Sequence, residues 1–154
     1  MSLSHCGWSP WFGATLASPT DATQGQTCPC GTWVTQWRVW QAVGKVTLVG
    51  DKDPLNGIVA VCSNGAVLDV LPGLSGPGTA IGSPTGFQGV SGKFGRFLDS
   101  MYGLGGTGPT DYSFACQAGN RVLGFQVVTE AAAGAAVAKR VRVFCGSTTT
   151  CPGT

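Results

Sequence analysis

The chain has 154 residues, among them 25 Gly and 9 Pro, with nine basic and seven acidic side chains, a hydrophobic share of 43% and a formal charge of +2. That composition excludes a disordered segment, which needs low hydrophobicity and high net charge, and it offers little attraction to nucleic-acid phosphates. No apolar run approaches the ~18 residues of a membrane span, and no basic stretch leading into an apolar one opens the chain, so a single compact domain over 1–154 is expected, with neither membrane segment nor leader peptide.

Short runs rich in β-branched and aromatic residues follow one another between Gly, Pro, Asn and Ser. They are Trp33 to Trp40, Gly44 to Val49, Ile58 to Cys62, Ala66 to Leu71, Tyr112 to Cys116, Val122 to Thr129 and Val141 to Cys145. Only Thr129 to Arg140 has the alanine density of a helix. Gly134 interrupts it and no apolar stripe anchors it, so it reads as a loop entering a strand. The fold class is all-β, and short strands with frequent turns bury their faces in a sandwich, a barrel or a prism.

Seven cysteines (Cys6, Cys28, Cys30, Cys62, Cys116, Cys145, Cys151) set the compartment. Cys28-Pro29-Cys30 has one intervening residue, too few for a zinc knuckle, and the single His5 supplies no second ligand pair, so no metal and no cofactor are expected. The pattern fits a disulfide framework in an oxidising, extracellular setting. The odd count leaves at least one thiol free or bonded to another chain.

An internal repeat orders these pieces. Cys28-Pro-Cys-Gly31-Thr-Trp-Val34-Thr-Gln-Trp37 aligns with Cys116-Gln-Ala-Gly119-Asn-Arg-Val122-Leu-Gly-Phe125, and Gly78 to Phe87 follows the same spacing. A second block follows each: Leu55-Asn56-Gly57-Ile58 to Cys62, Leu98-Asp99-Ser100-Met101 to Gly105, and Ala138-Lys139-Arg140-Val141 to Cys145. Cysteine becomes glycine at both columns of the second copy, Gly78 and Gly105. Paired loss is what a bridge within each copy predicts, so Cys28 is assigned to Cys62 and Cys116 to Cys145. Cys6, Cys30 and Cys151 remain, one pair and one single. Three copies of a four-strand unit give a threefold prism, each copy one antiparallel Greek-key sheet, with Trp37, Phe87 and Phe125 in a shared axial core.

At these residues the chain resembles two families. The first copy, Cys28 to Trp37 with Gly50-Asp-Lys-Asp-Pro-Leu-Asn-Gly-Ile58 and Cys62, and the Gly7-Trp8-Ser-Pro-Trp11 opening, resemble the vitelline membrane outer layer proteins. The second, Gly89-Val-Ser-Gly92-Lys-Phe-Gly95-Arg96-Phe97-Leu98-Asp99, resembles the jacalin-related lectins. Both resemblances imply the type I β-prism. The lectin resemblance implies a sugar site in which the Asp99 carboxylate accepts from two hydroxyls, the Gly95, Arg96 and Phe97 backbone donates, Arg96 lies at the rim and Phe97 offers an apolar face. The Gly-x-x-x-Asp spacing alone is weak, since 25 glycines and six aspartates produce it about once by chance, and Gly65 to Asp69 is a second occurrence. Its place in the repeat distinguishes it: the first copy reads Lys52 to Asn56 there and the third Ala135 to Lys139. Gly73 to Gly78 and Gly103 to Gly108 are both candidates for the glycine-rich loop that completes such a pocket.

Arg140 and Arg142, alternating with Val141 and Val143, read as the basic outer face of a strand and require no nucleic acid. Trp8, Trp11, Trp33, Trp37 and Trp40 are either a polysaccharide platform or packing, with Trp33 the most exposed by its place after a turn glycine. Catalysis lacks a base: His5 sits near the terminus, and Asp51 with Asp53 is the one close acidic pair. Two functions stand. One is a secreted module binding neutral glycans without catalysis; the other is a structural coat or matrix component, assembled as a homo-oligomer or through disulfides.

Overall fold

The computed structural model describes residues 7–41, 47–48, 51–52, 54–71, 78–106, 108–132 and 135–147. Its strands are β1 (Gly7–Trp8), β2 (Phe12–Gly13), β3 (Ala22–Thr27), β4 (Val34–Gln41), β5 (Thr47–Leu48), β6 (Asp51–Lys52), β7 (Leu55–Cys62), β8 (Val67–Leu71), β9 (Thr79–Gly82), β10 (Gly89–Phe94), β11 (Leu98–Met101), β12 (Leu104–Gly105), β13 (Thr110–Ala115), β14 (Arg121–Ala132) and β15 (Ala135–Gly146). No described residue is helical.

Three antiparallel sheets share one topology. Sheet I runs β8-β7-β4-β9, sheet II runs β12-β11-β10-β13, and sheet III runs β15-β14-β3 with β1 and β2 successively occupying the edge beside β15. In sheets I and II, two inner strands pair, a third folds back outside the second, and a fourth returns beside the first, which is a Greek key; sheet III has the same spatial order. This is the three-sheet prism expected from the repeat, with one correction. The third copy supplies only the inner strands β14 and β15; both edges come from the start of the chain, so sheet III holds its first and last described strands. The alanine-rich stretch also differs from expectation, because Thr129 to Ala132 continues β14 and pairs with Ala135 to Ala138 of β15. Small side chains lower β-propensity there, but a hairpin already in register carries the ladder to its tip.

Period-two patterning buries one face of each sheet. On β15, Val141, Val143 and Cys145 are buried, while Arg140, Arg142 and Phe144 between them reach the outer face. Trp37 of sheet I and Phe125 of sheet III meet edge to face at 4.8 Å, Phe87 approaches Trp37 at 6.4 Å, and Tyr102 packs on Phe87 at 4.8 Å. These rings are the axial core where the sheets converge.

Register shows how faithful the copies are. The inner pairs of sheets I and III place Val34 opposite Cys62 and Val122 opposite Cys145, each followed by a bulge. Cys28 bridges Cys62 and Cys116 bridges Cys145, with Cα separations of 5.8 and 5.7 Å. Cys30 is also disulfide-bonded, whereas Cys6 and Cys151 lie outside the described residues. At the other end, each second strand has one residue skipped by the pairing: Asn56 in β7, Asp99 in β11 and Lys139 in β15. All three are buried.

The second copy departs from the columns assigned to its glycines. Counting back from the skipped residue, Val90 rather than Phe87 is the counterpart of Trp37 and Phe125; Phe87 occupies the Val34 and Val122 position and reaches the core from there. The amide that matches those of Cys28 and Cys116 belongs to Ser83: the three donate to the carbonyls of Leu123 (2.7 Å), Gln88 (2.7 Å) and Thr35 (2.8 Å) respectively. Gly105 lies on the edge strand β12, opposite Ser100. The second bridge is missing because β11 stops at Met101. Tyr102 and Gly103 both take positive φ, 55° and 77°, as a type I′ turn requires, and send the chain back before it reaches the cysteine position.

Candidate functional site

The Gly95–Asp99 segment joins β10 to β11 at the end of sheet II that carries the skipped residues. Its turn is closed by the Gly95 amide, which donates to the Phe97 carbonyl at 2.9 Å. Leu98 then pairs with Phe94, and Asp99 is left out of the ladder, so its side chain is directed by the bulge and not by the pleat. Asp99 is 0% exposed. Its carboxylate lies against the backbone of Gly108: a Cβ at that position would stand 2.5 Å from Oδ2. Glycine is required at residue 108 for this approach. Of the two glycine-rich segments considered for the pocket, Gly103 to Gly108 has Gly105 and Gly108 beside Asp99; residues 72–77 of the other lie outside the described residues, as does Thr107.

Of the neighbours of Asp99, Phe97 departs from what the resemblance implied, and Arg96 is partly exposed but bound to another sheet. Phe97 is 0% exposed and packs inward, so its ring presents no platform to solvent. The turn is short, and the apolar side chain is the one driven into the interior. Arg96 lies with its guanidinium 4.8 Å over the Phe97 ring and donates through Nη2 to both carboxylate oxygens of Glu130, at 2.9 and 2.8 Å. The arginine is a strut between sheets II and III.

Glu130 extends this strut into a buried charge network. It lies 3.1 Å from Nζ of Lys139, which also donates to Asp21 at 2.7 Å and to the Leu16 carbonyl. Lys139 is fully buried, so its charge requires these partners. The hydrogen bond from Lys139 holds the Asp21 carboxyl below its ordinary range, against the smaller opposing effect of burial. The sequence contained a signal for this cluster that its reading passed over. Lys139 stands in the Asp99 column, and Glu130 is the chain's single glutamate.

Asp69 of the second Gly-x-x-x-Asp match is exposed on the edge strand β8, in the register shift between β7 and β8 and outside the column of Asn56, Asp99 and Lys139. Of the tryptophans, Trp37 is core, and Trp33 is half-buried beneath the Arg121 guanidinium, 4.4 Å from its ring, no more open than the half-buried Trp8, Trp11 and Trp40. A shallow groove of about 410 Å³ lies where β11 ends early, lined by Gln88, Gly89, Ser91, Tyr102 and Ser113 among others. The Tyr102 hydroxyl donates to the Gly89 carbonyl there. It supplies the partner that the second inner strand provides in sheets I and III.

No family model matches the chain, and no curated protein matches it in sequence. Among solved structures it is similar to the crystal structure of a prostate-specific WGA16 glycoprotein lectin, form II, with a TM-score of 0.65 over 88% of this chain and 97% of that one, at 13% identity. At that identity the likeness is one of architecture: the chain has the three-sheet β-prism fold.

Proposed function

We propose that the protein is a non-catalytic, extracellular carbohydrate-binding module that takes neutral glycans at the Gly95–Asp99 end of sheet II. One observation carries the reading. Of the three equivalent skipped positions, occupied by Asn56, Asp99 and Lys139, only the second sets a carboxylate against glycine backbone, with Gly108 pressed onto it. A carboxylate there accepts from paired sugar hydroxyls, and glycine leaves the adjacent backbone open to a ring. The fold shared with a solved lectin and the two described intrachain bridges support the same reading. The burial of Asp99 adds a condition: the Gly108 segment lifts as the sugar enters, and Arg96, held by Glu130, keeps the opposite wall in place.

A second reading is a structural coat or matrix component. The enclosed Phe97 and Asp99 and the Arg96–Glu130 strut favour it, because they are features of a rigid building block. A glycan array separates the two. On a binding glycan, Asp99→Asn weakens affinity by ~1.5–3 kcal/mol, the worth of a charge-assisted hydrogen bond. Asp69→Asn leaves it intact. Because residue 99 is buried, the same titration is followed by NMR on the unaltered protein, where the Gly95, Arg96 and Gly108 amides shift. Unchanged affinity in folded Asp99→Asn removes the sugar site. Absence of glycan binding together with ordered self-assembly establishes the structural reading.

A further inference from the structure

The outer face of sheet III holds a second constellation, unrelated to Asp99. The segment Trp8-Ser9-Pro10-Trp11 divides the edge of the sheet into β1 and β2. Proline has no amide to give the ladder, and Ser9 compensates: its amide donates to the Val143 carbonyl at 2.8 Å, and its hydroxyl oxygen accepts from the Val143 amide at 3.0 Å. The interruption places both indoles around one β15 side chain. The Arg142 guanidinium lies 4.8 Å from the Trp8 ring and 4.7 Å from the Trp11 ring, and Phe144 supports Trp8 edge to face at 5.2 Å.

Arg142 is also fixed along its length. Its Nε donates to Gln126 Oε1 at 2.7 Å, and Gln126 can lie flat because residue 25 on β3 is glycine, where a Cβ would meet Gln126 Cγ at 2.3 Å. Arg140, two residues away on the same face, donates one η-nitrogen to the Ala14 carbonyl at 3.0 Å and lies 5.9 Å from the Trp11 ring. Among the described residues no carboxylate pairs with either arginine; the nearby Asp21 feels the charge of Arg140 but is bound to Lys139. The face therefore carries two positioned guanidinium groups, about 7 Å apart along the strand, beside half-exposed indoles.

We infer that this face binds an acidic polysaccharide through its sulfate or carboxylate groups. A guanidinium with its plane fixed by two rings presents its remaining N–H groups as a fork matched to such an anion. The indoles offer apolar surface to the sugar rings between anions, which a bare polyphosphate would not use. A polymer carrying repeated anions engages both forks, and the second contact becomes intramolecular.

The test uses the whole protein with dextran sulfate, polygalacturonate, neutral dextran and duplex DNA. Dextran sulfate or polygalacturonate binds, neutral dextran does not, and the better of the two acidic polymers identifies the anion. Arg142→Lys, which keeps the charge but loses the fork, weakens that binding at least tenfold, while Lys93→Gln, which removes a charge from sheet II, changes it less than twofold. In the unaltered protein the indole N–H signals of Trp8 and Trp11 move with added polymer and those of Trp33 and Trp37 do not, a readout independent of any variant's folding. The inference is overturned if neither acidic polymer binds or Arg142→Lys binds as well as the parent. It is likewise overturned if Lys93→Gln loses as much, or if duplex DNA binds as tightly and moves the same signals.

Discussion

Removing the Cys116–Cys145 bridge tests whether sheet III, assembled from both ends of the sequence, depends on a covalent staple. The bridge closes a separation of 29 residues, for which the chain-entropy model gives about 3.6 kcal/mol, and the 34-residue separation of Cys28–Cys62 gives about 3.8 kcal/mol. The paired alanine variants are expected to lose nearly equal stability, with a melting point ~7–15 °C lower at ~2–4 °C per kcal/mol for a domain of this size. Both together remove ~7 kcal/mol, comparable with the entire stability of many domains, so the four-alanine variant should be largely unfolded at 37 °C. Equal cost does not mean equal consequence. The Cys116–Cys145 bridge anchors the strand on which β1 and β2 pair, so its loss should speed amide exchange at Trp8 and Phe12, whereas loss of Cys28–Cys62 should not. Circular dichroism melts and exchange NMR check both statements. A melting point within 2 °C of the parent for either pair, or identical exchange in β1 and β2, would refute the reasoning.

Two further predictions concern groups that replace missing partners. Tyr102→Phe leaves the Gly89 carbonyl without the phenol that serves it in place of a second inner strand, and should cost ~1–3 kcal/mol in a denaturant titration with unchanged m-value. Lys139→Met removes the cation that lowers the Asp21 pKa. In the parent, that depressed pKa contributes stability present above the unfolded value of 3.8 and lost as pH falls through the lower folded value; the variant should lose this acid slope, as melts between pH 5 and 2 will show, besides being less stable at neutral pH.

The sequence was most legible where its signals were pairwise. Cysteines lost in pairs named the two bridges, and the second-block alignment brought Asn56, Asp99 and Lys139 into one column that the register confirms. It was least legible where the second copy shortened. Glycines are so common in this chain that Gly78 and Gly105 fell into cysteine columns without occupying those places, because a column argument assumes equal strand lengths and β11 ends early. Strands β3 and β9 went unread for a different reason. Ala22 to Gln26 and Thr79 to Gly82 are exposed on sheet edges, where backbone pairing alone holds them and no apolar alternation is needed. Arg96 was placed by its sequence neighbours, yet its orientation is decided by Glu130, a residue of another sheet that no local pattern could supply.

The three skipped positions show how one backbone feature supports different chemistry. A bulge repeated by the pseudo-threefold turns one side chain per sheet into the end of the prism, and burial then forces each polar group to be compensated by its own surroundings. Lysine at residue 139 is neutralised by Glu130 and Asp21 and becomes a clamp between N-terminal segment, β14 and β15. Aspartate at residue 99 has glycine backbone on one side, and the turn before it is tied through Arg96 to that same Glu130. Charge compensation at sheet III thus ties down the turn that carries the carboxylate of sheet II, while glycine at residue 108 lets backbone lie against Asp99 Oδ2. In sheet II a turn held on one side by the Arg96–Glu130 pair therefore meets glycine backbone on the other, an arrangement that neither Asn56 nor Lys139 reproduces.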